Sequence, residues 1–232
     1  MIAAGKVDDD YVKPARFVDS DHPAVAAFAT RAAADASEPV AAAVRLYYAV
    51  RDEILYDPYV PPDDPDTYRA SAVLAKGRGY CVGKASLLAA AARALGIPAR
   101  VAFADVRNHL ATPRLLELIG TDIFVYHGIT ELWLDGRWIK ATPTFNLTLC
   151  EKFRIRPLDF DGRADAVFHP FDRDGRQHME YLRQRGSFAD VPVDIIVPAM
   201  LAAYPRLAEL NKASGGDFAK EAEEQAKTSP RS

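Results

Sequence analysis

The sequence predicts an α+β fold, with an alanine-rich helical part leading into an antiparallel sheet. Three stretches carry that prediction. Residues 22–57 hold apolar residues at helical spacing, broken once at "ASEP". Residues 77–100, "GRGYCVGKASLLAAAARALGIPAR", form a second helical block that opens on a cysteine and closes on a glycine. Residues 122–146 then contain the strongest hairpin signal in the chain, "DIFVYHGITELWL", "DG", "RWIKATPTFN".

Taken in order, the first block predicts two helices, with Ser37 as a cap and Pro39 in a first helical turn, where a missing N–H costs nothing. Val44, Tyr47, Tyr48 and Ile54 approximate the apolar face of the second helix. The proline-rich "PYVPPDDPDTYRASAV" reads as a surface loop. From Tyr80 to Leu95, Leu88, Ala91 and Leu95 make a stripe, with Lys84 as a solvated interruption, and Gly96 ends the helix. "IPARVAFADV" is a strand and "LATPRLLELIG" a short helix or lid-like connection.

The hairpin can be given a register. With Asp135 and Gly136 as the two turn residues, Leu134 faces Arg137, Trp133 faces Trp138, Glu131 faces Lys140 and Ile129 faces Thr142. This predicts a tryptophan pair and an ion pair across the strands, and makes His127 and Thr142 diagonal neighbours. Beyond Asn146 the pattern weakens into short strand-like pieces with two Asp-Gly turns. "VPVDIIVPAMLAAYPRLAEL" is a late helix entered near Pro192 and broken at Pro198. The expected organisation is one domain over residues 1–211 and a frayed or disordered tail over 212–232.

Composition narrows the function. Net charge is −3, from 29 basic and 32 acidic residues mixed along the chain, so no basic field exists to hold nucleic acid or an anionic membrane. No apolar run approaches a membrane span, and the start lacks a signal-peptide pattern, so a cytoplasmic location is expected. The two cysteines, Cys81 and Cys150, have no CxxC spacing and read as free thiols. The five histidines show no ligand spacing, so neither a metal nor any other cofactor is called for. The expected partner is a peptide or a small amide, and the sequence leaves the oligomeric state open.

Cys81 stands at a helix mouth, where unpaired N–H groups and the helix dipole favour a thiolate. A cysteine at a helix start, then a strand, then a histidine on a hairpin is the chain order of papain-like thiol enzymes. "GYCVGKASLLAAAARALGIPARV" followed by "HGITELWLDGRWIKATPT" resembles the core of the transglutaminase-like superfamily, over roughly residues 40–146. That resemblance implies a papain-like fold, with Cys81 as nucleophile and His127 as general base and acid, acting on an amide through a thioester. Hydrolysis is the expected outcome. "GRGYC" is also similar to the cysteine turn of arylamine N-acetyltransferases, which keeps transfer to an amine as an alternative.

The third catalytic position departs from the family. An aspartate usually precedes "PT", and here the residue is Thr142. A threonine hydroxyl can accept an imidazole N–H but supplies no charge to stabilise an imidazolium. Three readings stay open: Thr142 orients His127 itself, or Asn146, Asp122 or Asp105 does so from elsewhere, or catalysis is lost and the cleft is kept as a peptide-binding scaffold.

Overall fold

The computed structural model describes residues 7–109, 111–168, 179–204, 206 and 218–228. The N-terminal helices are α1 (Pro23–Ala33), α2 (Pro39–Glu53) and α3 (Ala70–Lys76), followed by α4 (Cys81–Ala94). Pro39 opens α2 as expected, but the residue in the cap position is Glu38, and Ser37 lies outside the helix. α1 is capped by a histidine: the His22 Nδ1 accepts the Ala24 N–H at 3.2 Å. α3 occupies the end of the stretch read as a loop. Two short strands, β1 (Leu55–Tyr56) and β2 (Arg78–Gly79), pair in parallel and bring the loop's two ends together below α4.

The main sheet contains β3 (Ala99–Asn108), β4 (Ile123–Leu134), β5 (Arg137–Ala141) and β6 (Met179–Phe188), in the order β5-β4-β3-β6, all antiparallel. The hairpin register follows the expected rungs: Leu134 opposite Arg137, Trp133 opposite Trp138 and Glu131 opposite Lys140. Asp135 and Gly136 both take positive φ, 49° and 80°, the conformation a two-residue turn of this hand requires. The tryptophan rings meet edge to face at 5.2 to 5.4 Å from their neighbours, Trp133 on Trp138 and Tyr11 on Trp138. Pairing stops at Thr130 opposite Ala141, so the Ile129–Thr142 rung does not form and Thr142 lies just past the sheet.

The expected Glu131–Lys140 ion pair is replaced by another. Glu131 accepts from the Arg100 guanidinium at 2.5 Å and from the Ser187 hydroxyl at 2.8 Å. Two neighbouring strands offer donors, and the planar guanidinium on β3, held over Trp138 at 4.1 Å, is the better positioned.

α4 sits at the centre, against α1, α2 and α3 on one side and β3 and β4 on the other, and Cys81 through Arg93 are all buried. Leu88 and Ala91 of the stripe read from the sequence therefore belong to a helix that is buried all round, with Leu95 at its C-cap. Small residues make this possible, since alanines let neighbours approach α4 from every direction. Thr130 fastens the sheet to it, its hydroxyl donating to the Ala85 carbonyl at 2.9 Å.

Lys84 corrects the sequence reading most clearly. It is fully buried rather than solvated, and its Nζ donates to the Arg51 carbonyl at 2.9 Å and to the Ile54 carbonyl, at the end of α2. Burial lowers its pKa to about 7, so the neutral amine is about half of the population at pH 7 and predominates above it, and it has two N–H donors for two carbonyls. Because the folded-state value lies below that of the unfolded chain, this group's contribution to stability is fully present above about pH 10.5 and is lost as pH falls through 7. Urea titrations of the wild type and Lys84→Met should therefore show a stability gap that widens from pH 7 to pH 10. The lost hydrogen bonds alone should cost the variant ~2 kcal/mol. A gap that narrows with pH would mean that the buried amine is charged.

The C-terminal part also differs from expectation. α6 (Leu147–Phe153) and β6 occupy the region read as further hairpins, and the second Asp-Gly turn, at 174–175, lies outside the described residues. α7 (Val193–Ala203) follows Pro192 and continues through Pro198 without a break. Within the stretch expected to fray, Phe218–Thr228 forms a helix, α8. Its Phe218 and Ala222 are buried, with the Phe218 ring against Tyr56 and Phe153.

Candidate active site

Tyr80, in extended backbone conformation, precedes the first residue of α4 and offers no side-chain cap. The first-turn N–H groups are thus left for whatever stands there, and what stands there is the Cys81 thiol. The backbone N–H groups of Gly128, Val82 and Cys81 itself lie close to the sulfur. These favour the thiolate, but burial outweighs them: Cys81 is 8% exposed and its pKa is pushed up to about 11. At neutral pH the group is a thiol. Cys150, at the other free cysteine position, is buried in α6.

His127 lies on β4 opposite Ala104 of β3. It too is buried, and burial alone lowers its pKa to about 4, leaving a neutral imidazole. Its Nε2 is enclosed without a hydrogen-bond partner. No hydrogen bond joins imidazole and thiol in this resting geometry. What holds them near each other is the next residue, Gly128. A Cβ there would stand 2.7 Å from the Val82 Cα and 3.0 Å from the Cys81 carbonyl oxygen, so α4 meets β4 at backbone-to-backbone distance.

Thr142 mirrors the imidazole, since its hydroxyl is likewise enclosed and makes no hydrogen bond of good geometry. The nearby Tyr181 phenol, which accepts the Phe168 N–H at 3.3 Å, reaches toward it. The other candidates for the third position are engaged elsewhere. Asn146 accepts the Tyr56 N–H at 3.0 Å and donates to Thr148 at 2.7 Å. Asp122 pairs with Arg107 at 3.2 Å. Asp105, beside a sheet irregularity where Tyr126 takes a φ of 56°, is held by Arg185 at 2.6 Å and accepts the Tyr126 N–H. No carboxylate is hydrogen-bonded to His127 among the described residues.

Cys81 and His127 line one cavity. Its walls include Leu115 and Ile119 from α5 (Pro113–Ile119), Met200 from α7, Val106 from β3, Phe124 from β4 and Met179 from β6. The space in which the centre of a water molecule can move is about 60 Å³. The short helix read as lid-like thus contributes directly to the wall. The sequence reading missed Gly128, Thr144 and the two methionines of this site, and named Tyr56 only as a core residue with a hydroxyl on offer to an oxyanion. A glycine inside a strand, immediately after the histidine, was the available signal for the first of these.

A family model described as the transglutaminase-like superfamily matches residues 26–143, half of the chain, from within α1 to just past Thr142. The chain belongs to the transglutaminase-like superfamily. Membership supports a cysteine-dependent thiol enzyme at the level of the superfamily, and the α+β architecture with a cysteine-bearing helix on an antiparallel sheet accords with it. No curated protein matches the sequence. A solved structure from Cytophaga hutchinsonii, described as a candidate cysteine protease, is 17% identical and aligns over 82% of this superfamily member and 50% of that chain, with a TM-score of 0.49. The present chain thus spans about half the length of that protein. Among the described residues, no helix is long and apolar enough to cross a membrane.

Proposed function

We propose that this chain is a thiol enzyme that hydrolyses a peptide or other amide through a thioester on Cys81, with His127 moving the proton. The observation that carries the reading is a thiol and a neutral imidazole lining the same cavity, at a helix start pinned to a strand by Gly128. The low pKa of the imidazole and the high pKa of the thiol favour general-base catalysis over a stored ion pair. His127 takes the Sγ proton as sulfur bonds to the carbonyl carbon, and the Cys81 N–H meets the developing oxyanion. The imidazolium then protonates the leaving amine as the C–N bond breaks. Water, giving its proton to His127, attacks the thioester, and the thiol departs with that proton.

Acylation by p-nitrophenyl butyrate, followed by mass spectrometry and by the release of nitrophenol, tests this. An acyl group should map to Cys81, turn over in water, and be absent in Cys81→Ala and His127→Ala. If turnover accelerates in proportion to an added amine, the chain is an acyltransferase instead. The rate should require neutral His127, so its acid limb should have a midpoint near pH 4 and no fall should occur between pH 5 and pH 9. An acid limb near the ~6.5 of an ordinary histidine would place the imidazole in water.

The unpaired Nε2 and Thr142 hydroxyl favour one second reading, a binding scaffold that keeps the cleft without the chemistry. Under it, no acyl group accumulates on Cys81, and Cys81→Ala retains peptide binding.

A further inference from the structure

The chemical character of the cavity beside Cys81 is set by what is missing from its walls. Among the described residues that line it, none is Asp, Glu, Lys or Arg, and His127 is held neutral. Apart from the Asn108 amide, the walls away from the thiol are aliphatic, aromatic and thioether groups contributed by five elements, α5, α7, β3, β4 and β6. A charged group placed there would lose its hydration and gain no counterion. Methionines at two positions, Met179 and Met200, give the walls adaptable shape without polarity. Three enclosed polar atoms on its lining residues have no hydrogen-bond partner, the Tyr80 hydroxyl, the His127 Nε2 and the Thr144 hydroxyl; the Tyr80 phenol is directed to Tyr68 and the imidazole is kept for proton transfer, which leaves the Thr144 hydroxyl for a ligand. An unsatisfied buried hydroxyl beside an apolar void is a site for a single ligand polar atom.

We propose that this cavity is the acyl-group pocket of the site, and that it takes a short, uncharged aliphatic acyl group whose amide is held by the Thr144 hydroxyl. The proposal rests on the reading of Cys81 as the attacked position and adds the class of acyl group to it. The site would then select amides of uncharged, apolar acids and reject acyl groups that end in a carboxylate or an ammonium. The position of Thr144, two residues beyond Thr142, places the polar contact close to the catalytic pair. The apolar walls would receive the rest of the chain.

The experiment uses two probes that differ only at the far end: butanamide, and succinamate, in which a carboxylate replaces the terminal methyl. Titration of the full chain with each, followed by ligand-observed NMR, should show butanamide binding at least ~10-fold tighter, which corresponds to ~1.4 kcal/mol. Thr144→Val should weaken butanamide ~2- to 10-fold, the range of one neutral hydrogen bond. Met200→Lys should remove or reverse the preference for the uncharged probe. Equal binding of the two probes, tighter binding of succinamate, or no binding of butanamide to the folded wild type would each overturn the proposal. Parallel acylation by p-nitrophenyl butyrate separates the two readings. If butanamide binds with the stated preference and Cys81 never acylates, the pocket stands and the enzyme reading falls. If Cys81 acylates and the probes bind alike, the pocket falls and the enzyme reading stands.

Discussion

Thr142→Asp is expected to raise the rate of Cys81 alkylation by iodoacetamide at pH 7 by ~10-fold or more. The wild-type pair is neutral because nothing charged faces the imidazole, whose pKa burial holds near 4. A carboxylate beside a histidine favours the imidazolium by ~1 to 3 pKa units. An imidazolium next to the thiol in turn favours the thiolate over a thiol held near 11, and each unit gained there is ~10-fold in thiolate at fixed pH. The same change should lower stability, because it introduces a buried charge whose new partner must ionise to match it. Opposite movements of reactivity and stability make the result diagnostic. Thr142→Asn, of similar size and without charge, should leave the alkylation rate within ~3-fold, since charge and not shape drives the shift. If Thr142→Asp folds and alkylates at the wild-type rate, Thr142 is not adjacent to the imidazole in solution.

Gly128→Ala is the second large effect. The added methyl would meet the Val82 Cα at 2.7 Å, with the Val82 nitrogen and Cys81 carbonyl oxygen at 3.0 Å. All three are backbone atoms, so no rotamer change relieves the clash. α4 cannot retreat either, since it is buried on every side. The expected cost is at the upper end of the ~1 to 3 kcal/mol typical of overpacking, read as a shift in the urea midpoint. Whatever relaxation occurs must also move the start of α4 away from β4, separating Sγ from the imidazole and removing the Gly128 N–H from the thiol. Acylation of Cys81 should fall by ~100-fold or more, as misplacements of this order do elsewhere. A stable and fully active Gly128→Ala would show that the close approach of helix and strand does not hold the pair.

The parts of this architecture that were legible in the sequence are those specified by neighbours in the chain. The Asp-Gly turn with tryptophans on either side fixed three rungs of the hairpin, because turn geometry and cross-strand pairing are local. The cysteine-led helix and its glycine stop were legible for the same reason. Lys84 was not, because its acceptors are carbonyls 30 and 33 residues away, and a lysine in a helix reads as solvated until those carbonyls are known. Glu131 was assigned to the wrong neighbour because the hairpin partner is visible in sequence, whereas β3, on the other side of β4, is not. In the site, Cys81 and His127 were singled out by their order and context. The cavity that they line was not, because its walls come from α5, α7 and β6, whose side chains meet only in the folded chain.

The Glu221 carboxylate of α8 accepts from the Tyr59 hydroxyl at 2.5 Å and the Thr112 hydroxyl at 3.0 Å, and pairs with Arg114 at 3.2 Å. Thr112 caps α5, the helix that supplies Leu115 and Ile119 to the cavity, and Tyr59 belongs to the segment just after β1. The wall is therefore tied down by a residue that follows Arg114 by 107 positions. The enclosure of Cys81 thus depends on a contact made from outside the stretch that carries both the cysteine and the histidine.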